Sequence, residues 1–291
     1  MKKAIWIPSL IILFFIGDRV GAWILQQLVA KSQFRYSRLY TGKAEADILL
    51  LGNSRGLIFY QPYIEELTGQ TTCNLSYNSL PIDAGKVLVQ DYLERYEAPK
   101  QLLIDVTMCD RNNPQLISGF GPYSNYSSSL NQLIKSVSKT SWSASQLSHL
   151  YRFNGEVFQR TLNYLGKSDK DWLIDRVISS NMQENATKEQ VVELKTDTYL
   201  LEELQELIQT AEAKGVVVEL LVNPYYPPYA KRMESLTQFI QQVETATGKT
   251  VNNYAFALQL TDGFGDYQHL NKKGSKKYLA QLAEDGVLLV D

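Results

Sequence analysis

The alternation of short apolar runs with amphipathic helical segments constrains the fold of this chain more than any other feature. Residues 46–51 (ADILLL), 72–75 and 101–108 (QLLIDVTM) are short apolar runs of the kind found in buried strands. Residues 62–68 and 82–96 lie between them and carry apolar side chains at helical spacing. Because strands joined by helices pair in parallel, this order predicts an α/β domain whose central parallel sheet has helices on both faces.

The same alternation returns in the last third of the chain. Residues 199–213, 233–247 and 272–284 have helical spacing, and residues 216–222 (VVVELLV) form a strongly β-branched run. A short last strand is expected within residues 252–260. The parallel sheet is therefore predicted to continue to the end of the chain.

Residues 111–195 interrupt the pattern, and we interpret them as an insertion. Ser, Asn and Tyr are dense over 119–145, and helical pieces are predicted at 145–165 and 171–178. Two interpretations remain open. The insertion either forms a lid or wall for a substrate, or it is a surface elaboration that only stabilises the fold.

The N-terminus has the composition of a membrane segment. Lys2 and Lys3 precede an apolar run over 4–17, an Asp-Arg pair follows at Asp18, and residues 20–30 are again mostly apolar. An uncleaved anchor with a cytoplasmic N-terminus fits the positive-inside rule, and we favour it because no clear A-x-A cleavage site follows. A cleaved signal peptide remains an alternative. A buried core helix is less favoured, because the run has almost no polar face.

These patterns predict three parts: a membrane anchor or signal segment over 1–31, a polar and basic linker over 32–45, and the α/β domain over 46–291. Either interpretation of the first part places the rest of the chain outside the cytoplasmic membrane.

Composition narrows the classes of function. The 29 basic and 31 acidic residues give a net charge of −2, which does not favour a nucleic-acid partner. Cys73 and Cys109 form no C-x-x-C or Cys/His cluster, so we predict neither a metal site nor a cofactor. The only histidines are His149 and His269, which leaves two candidates for a histidine general base.

The first chemical motif, G-N-S-R, follows the first predicted strand. Ligands of parallel α/β sheets bind at the carboxyl ends of the strands, so Ser54 lies at a favoured position for a nucleophile. A helix beginning there would direct backbone N–H groups at a developing oxyanion. The alternative is that Ser54 only caps the next helix. Arg55 is a candidate for tuning the site electrostatically or for pairing with a local carboxylate.

The second motif is D-x-x-H-L-N, which follows the last predicted strand. A serine hydroxyl needs a base to take its proton, and an imidazole needs an acidic partner to fix its tautomer. Asp266 and His269 are three residues apart, so one loop is able to supply both groups. A surface aspartate beside a helix-flanking histidine is the alternative for this motif taken alone.

The order and spacing of these two motifs resemble the SGNH (GDSL-type) hydrolase superfamily. The resemblance covers residue 46 to the end, apart from the insertion. It implies a flavodoxin-like three-layer sandwich, with Ser54 as nucleophile, His269 as base and Asp266 as the group that orients it.

The family's second block, N-x-G-x-S-G, aligns with residues 74–79 (NLSYNS). Ser79 falls at the glycine whose backbone N–H donates to the oxyanion, and its own N–H is able to replace that donor. Asn78 beside it is a candidate for binding substrate.

The third block, G-x-N-D, aligns with residues 107–110 (TMCD). Cys109 stands where the family has an asparagine whose side chain donates to the oxyanion, and a thiol is a weak donor. Asn112 and Asn223 are therefore candidate replacements for this donor.

Within the superfamily, the chain is similar to membrane-anchored SGNH-like proteins of bacterial envelopes. Those proteins are linked to O-acetylation of exopolysaccharides such as alginate, or to esterification of cell-wall polymers. The resemblance implies a serine esterase or O-acyltransferase outside the cytoplasm that acts on acyl esters, acetyl above all, of a surface or secreted glycan. Two other functions stay open: a non-catalytic module that binds glycan or supports an envelope assembly with partner proteins, and a membrane lipase, which would need an apolar acyl groove.

Overall fold

The computed structural model describes residues 6–290. Lys2 and Lys3, on which the predicted orientation of the membrane segment depends, lie outside the described residues. Within that range a five-stranded, all-parallel sheet has the order β2-β1-β3-β4-β5. The predicted α/β class with a parallel sheet is thereby confirmed. The strands are β1 (Ile48–Leu51), β2 (Thr72–Asn74), β3 (Gln101–Asp105), β4 (Val217–Val222) and β5 (Val251–Asn253).

Helices occupy most of the remaining chain. In order they are α1 (Trp6–Lys31), α2 (Arg35–Tyr40), α3 (Gln61–Thr68), α4 (Ile82–Arg95), α5 (Pro114–Gly119), α6 (Ser128–Val137), α7 (Lys139–Leu147), α8 (Glu156–Asn163), α9 (Ser180–Asn185), α10 (Thr198–Glu212), α11 (Pro227–Ala230), α12 (Ser235–Thr247) and α13 (Lys272–Glu284). Helix α10 packs against both α4 and α12, whereas α13 packs against α3. Side-chain capping marks the start of some of these helices: at α10, the Asp197 carboxylate accepts the backbone N–H groups of Tyr199 and Leu200.

The register of the sheet brings the carboxyl ends of its strands to one edge. Leu51 of β1 pairs with Ile104 of β3, and Asp105 pairs with Leu221 of β4. All four residues of β1 and all five of β3 are buried, as expected for central strands covered on both sides. Side chains that follow β1, β3 and β4 therefore meet at the same edge.

The chain divides into two compact units. The described residues of Met1–Lys43 together with Asn113–Asp169 form one unit, and those of Ala44–Asn112 and Lys170–Asp291 form the other. The sheet and its flanking helices lie in the second unit. The predicted insertion over 111–195 is thus shared between the two.

Within the first unit, α1 is long and apolar enough to cross a membrane, with a mean hydropathy of 1.6 over its most apolar stretch. From its middle onward, individual positions of α1 pack on protein: Asp18, Ala22 and Val29 are buried. The Asp18 carboxylate accepts hydrogen bonds from the hydroxyl of Ser148 and from backbone N–H groups, at 2.8 Å from His149 and at 3.1 Å from Leu150.

The segment 32–45, predicted to be a linker, instead contains a buried helix. All six residues of α2 are buried, and Tyr36 is fully enclosed. Two arginines of α2 pair with the buried Asp169 carboxylate, Arg35 at 2.8 Å and Arg38 at 3.0 Å. A buried carboxylate requires such partners, and this one turns a basic, linker-like composition into a packed element.

The helix predicted over 171–178 does not form, and that segment is irregular in the structure. Its backbone bonds instead to the loop that precedes α13. The N–H of Ile178 donates to the carbonyl of Phe264 at 2.7 Å, and the N–H of Lys272 donates to the carbonyl of Ile174 at 2.9 Å. These long-range bonds satisfy backbone groups that a helix would have satisfied locally.

Asp83, in the first turn of α4, generates a prediction about stability. The pKa of Asp83 rises from 3.8 to about 6. Burial is the main cause, the hydrogen bond from the N–H of Ala84 lowers the pKa in part, and the negative charge of Glu203 raises it further. Because the folded state holds this proton more tightly, stability should fall as the pH rises from about 4 to 6. A rise from 3.8 to about 6 corresponds to roughly 3 kcal/mol.

We therefore expect Asp83→Asn to raise the free energy of unfolding by roughly 2–3 kcal/mol above pH 6, and by little near pH 4. Denaturant unfolding of the full chain in detergent, measured at both pH values, checks this. Glu94→Gln on the same helix is the control, because the Glu94 carboxylate is 69% exposed and should shift stability by less than about 0.5 kcal/mol. An equal gain at both pH values would contradict the account.

Candidate active site

Ser54 opens a 3₁₀-helix (Ser54–Ile58) directly after β1. The turn requires glycine at two positions, because a Cβ on Gly52 would meet the backbone of Gly56 at 2.6 Å, and a Cβ on Gly56 would collide with Ser76. The Asn53 side chain caps the helix by accepting the N–H of Arg55 at 2.9 Å. This sharp turn places Ser54 at the carboxyl edge of the sheet.

The loop between β5 and α13 positions the histidine. Phe264 and Leu270 form an antiparallel bridge that closes the loop. Oδ1 of Asp266 accepts the backbone N–H groups of Gln268 at 2.9 Å and of His269 at 3.0 Å. An aspartate bonded to the backbone two and three residues ahead forms a tight local turn, and this turn directs the His269 ring back toward Asp266.

The structure brings Ser54, His269 and Asp266 together as the sequence predicts. Nε2 of His269 lies 2.9 Å from Oγ of Ser54. Nδ1 of His269 lies 2.8 Å from Oδ1 of Asp266. With the ring proton on Nδ1, Nε2 accepts the serine hydroxyl proton, which is the arrangement a base needs to activate that hydroxyl.

The Asp266 carboxylate is held ionised. Burial acts to raise its pKa, but the hydrogen bond and charge of His269, the N–H of Gln268 and the guanidinium of Arg176 outweigh burial and lower the pKa to about 2. The group therefore stays an acceptor for the His269 ring at every pH near neutrality.

Arg176 belongs to the irregular segment that replaces the predicted helix. Its Nε donates to the carbonyl of Gly265 at 3.1 Å, and its NH2 group donates to Oδ2 of Asp266 at 3.1 Å. Asp266 is thus bound on both oxygens, by His269 on one side and by Arg176 on the other. The segment fixes the loop that carries two of the three groups.

Arg55 lies in a buried polar network beneath the serine. Its guanidinium stacks on the ring of Tyr225 at 3.4 Å from the centroid, and its Nε lies 3.6 Å from Oδ2 of Asp105. Its two terminal nitrogens donate to backbone carbonyls, to that of Gln268 at 2.9 Å and to that of Asn223. Arg55 therefore pairs with a local carboxylate, one of the two roles considered for it, and ties the serine turn to the histidine loop.

Asn223, one of the two residues predicted to replace the missing side-chain donor to the oxyanion, lies inside the buried network. Asn223 is fully buried, its amide N–H groups donate to the carbonyl of Arg55 at 3.2 Å and to Asp105 at 2.6 Å, and its oxygen accepts from Tyr278 at 2.7 Å. These bonds occupy Asn223 inside the network and leave it no N–H for an oxyanion. Cys109 is also fully buried, and burial raises the pKa of its thiol.

The two predicted residues of the second block lie close to Ser54. Ser79 has a left-handed backbone, with φ of 54°, and lines a cavity together with Ser54. Asn78 lines a neighbouring cavity that also reaches Ser54. Asn112 is exposed after β3 and is not among the lining residues of either cavity.

These two cavities flank Ser54 and differ in character. The first, of about 190 Å³, is polar. The second, of about 280 Å³, is mainly apolar. Polar groups in the first include Asn53, Ser79, Thr107, Asp110 and Arg111. Apolar groups in the second are Leu57, Ile58, Trp172, Leu173, Ile174 and Leu270.

Sequence reasoning missed two polar residues of the site, Asn53 and Arg176. The Asn53 amide donates to Oγ1 of Thr107 at 3.0 Å, and that hydroxyl donates to Oδ1 of Asp105 at 2.6 Å. The position of Asn53 immediately before the serine was a usable signal. Arg176 gave no signal, because its contact with Asp266 joins residues 90 positions apart.

Neither a protein-family model nor a curated protein matches the chain. Among residues 6–290, no group of three or more His, Cys, Asp or Glu side chains is placed to hold a metal ion.

The Arg55 network predicts that lysine cannot replace this arginine. Lysine lacks the planar fork that donates to two carbonyls while stacking on Tyr225. We expect Arg55→Lys to lower the free energy of unfolding by about 1–3 kcal/mol, measured by denaturant titration. Arg111→Lys is the matched control, because Arg111 lines the polar cavity but is 62% exposed. Equal effects of the two substitutions would contradict the role assigned to Arg55.

Proposed function

We propose that this chain is an SGNH-type serine esterase or O-acyltransferase that works outside the cytoplasmic membrane on acyl esters of a cell-surface or secreted glycan. The observation that carries the proposal is the continuous hydrogen-bonded line from Ser54 through His269 to Asp266. A serine bonded to a histidine that is in turn oriented by an ionised carboxylate is the arrangement used for acyl transfer on several unrelated folds.

In the proposed reaction, Oγ of Ser54 attacks the acyl carbonyl carbon while its proton passes to Nε2 of His269. The tetrahedral oxyanion then collapses, and the C–O bond to the leaving alcohol breaks as His269 returns the proton to that oxygen. An acyl-Ser54 ester remains. Water or a sugar hydroxyl attacks it, losing a proton to His269, and the acyl group leaves as an acid or as a new ester while Ser54 is reprotonated.

Asp266 acts in this scheme through its charge and its geometry. Its pKa of about 2 keeps it ionised, so it stabilises the imidazolium that forms when His269 takes the proton. The backbone N–H groups of Ser54 and Ser79 are the proposed oxyanion donors. Ser54 lies at the start of a 3₁₀-helix, and Ser79 lines the cavity into which Ser54 opens.

The two cavities suggest which part of the substrate binds on each side of Ser54. The apolar cavity lined by Trp172 and Ile174 suits the acyl group, and the polar cavity lined by Asp110 and Arg111 suits the hydroxyl-rich leaving group or acceptor. A glycan ester has this polarity across its scissile bond.

The strand order supports the SGNH resemblance. A sheet of order 2-1-3-4-5 is that of flavodoxin-like doubly wound folds, in which the functional site lies at the carboxyl edge. The separate packing of α3 with α13, and of α10 with α4 and α12, fits helices on two faces of such a three-layer sandwich. Ser54 follows β1 and Asn223 follows β4, so both lie at that edge, on either side of β3.

The proposed location rests on α1. A helix with a mean hydropathy of 1.6 over an 18-residue window has the length and composition of a single span. Lys2 and Lys3 precede it in the sequence, so the positive-inside rule favours a cytoplasmic N-terminus and a catalytic unit on the outer side.

Active-site labelling tests the proposal most directly. We expect the full chain in detergent to react with a fluorophosphonate probe at Ser54, located by mass spectrometry, and to hydrolyse a chromogenic acetyl ester. Ser54→Ala should abolish labelling and lower turnover by roughly 10⁴–10⁶-fold. Ser136→Ala, at an exposed serine of the other unit, should change neither.

A folded wild-type protein that neither labels nor turns over an ester would overturn the catalytic proposal. It would favour the alternative of a non-catalytic glycan-binding or envelope-assembly module. Folding is checked in the same samples by circular dichroism and by the denaturant midpoint.

The role of Asp266 gives a separate kinetic prediction. Asp266→Asn preserves the size of the side chain but removes the charge and offers the wrong partner to Nδ1 of His269. We expect kcat to fall by roughly 10³–10⁴-fold. Arg176→Gln should produce a much smaller loss, because the carboxylate keeps its His269 contact. Comparable losses in the two variants would indicate that loop geometry, rather than the charge of Asp266, controls the rate.

A further inference from the structure

We propose that residues 147–151, here called the 147–151 tip, enter the outer interface of the lipid bilayer beside α1. The tip joins α7 to a 3₁₀-helix (His149–Phe153) in the first unit. It would give the protein a second membrane contact besides α1. The inference rests on the membrane placement of α1 proposed above and adds to it a lipid-binding surface on the insertion.

Direct contacts hold the tip against the middle of α1. Asp18 accepts the N–H groups of His149 and Leu150. The Leu150 side chain covers Gly21, one turn further along α1, so closely that a Cβ there would meet it at 3.2 Å. The depth of the tip is therefore set by the depth of Asp18.

The two tryptophans of α1 place Asp18 below the outer interface. Trp6 and Trp23 are 59% and 63% exposed, and tryptophan side chains prefer membrane interfaces. At 1.5 Å per residue they are about 26 Å apart along the helix, close to the ~30 Å of a hydrocarbon core. Asp18 precedes Trp23 by five residues, or about 8 Å. The tip, held at the depth of Asp18, then lies just beneath the headgroups, in the outer part of the acyl chains.

The tip presents apolar side chains to the surroundings at that level. Leu147 is 64% exposed, Leu150 is 40% exposed and Tyr151 is 38% exposed. Neighbouring positions of α1 are exposed and apolar too, with Val20 at 52% and Ile24 at 50%. Burying these exposed apolar side chains of α1 and of the tip in lipid is favourable by about 25 cal/mol per Å².

Backbone groups of the tip are hydrogen-bonded to side chains of α1, as a region without water requires. Irregular backbone in hydrocarbon is tolerated only where protein groups satisfy its N–H and C=O groups. Asp18 satisfies two of these N–H groups, and the guanidinium of Arg19 donates to the carbonyl of Leu147 at 3.3 Å. Hydrogen bonding to the backbone of the tip explains why an Asp-Arg pair interrupts the apolar helix α1.

The charge of the surrounding segment also fits a membrane. Residues 113–155 contain Lys135, Lys139 and Arg152 but no Asp or Glu. Both lysines are exposed. Such a segment is attracted to anionic headgroups by its charge and need not itself enter the bilayer.

Depth-dependent fluorescence quenching tests the tip. Single cysteines would be introduced into the full chain as Leu147→Cys for the tip, Leu13→Cys for α1 and Ser136→Cys for exposed insertion surface. Each would be labelled with NBD in vesicles of phosphatidylethanolamine and phosphatidylglycerol that contain doxyl-labelled lipids. The native Cys73 and Cys109 are buried, so wild type should take up no label on the folded protein.

We expect the probes at positions 13 and 147 to be quenched and the probe at position 136 not to be quenched. The probe at position 147 should be quenched most strongly by doxyl groups at shallow depth, and its emission should be shifted to the blue. Quenching at 13 but not at 147 would overturn the tip proposal and leave the anchor standing. Equal quenching at 147 and 136 would also overturn it. Quenching at none of the three would overturn the proposed membrane placement itself, and the tip with it.

Discussion

The carboxylate of Asp105, at the end of the central strand β3, is the group on which the rest of the site depends. It is completely buried and accepts hydrogen bonds from Thr107 and Asn223 while lying beside the guanidinium of Arg55. A buried charge of this kind is tolerated only with several partners. Those partners come from the ends of three strands, so satisfying one carboxylate also fixes the spacing of the strand ends.

Asp105 constrains the positions of Ser54 and His269 by two routes. Thr107 binds Asn53, the residue before the serine, so the serine turn is positioned from below. Arg55 reaches the carbonyl of Gln268, the residue before the histidine, so the histidine loop is positioned from the side. Ser54 and His269 are 215 residues apart in sequence, yet each is bonded next to the same buried network.

The sequence predicted the parts of this arrangement that follow from periodicity and chain order. The strands were predictable because short apolar runs alternate with helical spacing, and the meeting of Ser54 with Asp266 and His269 followed because parallel strands end at one edge. The burial of Arg55 and the inward orientation of Asn223 were not predictable, since both depend on the distant Asp105. The irregular course of 171–178 and the buried helix α2 were missed for the same reason: their partners, Phe264 and Asp169, lie far away in the chain.

The pairing of Asp18 with residues 148–150 also affects how the chain is made. The hydroxyl of Ser148 lies 130 positions after the carboxylate that accepts its hydrogen bond. At 5–20 residues per second, a ribosome needs about 7–26 s to supply that stretch. During this interval the nascent N-terminal helix carries an acidic group that has Arg19 beside it but lacks the donors of residues 148–150. On the proposed membrane placement, insertion of α1 and completion of the first unit are thus separated in time, and the helix would have to be retained in the bilayer before residues 148–150 exist.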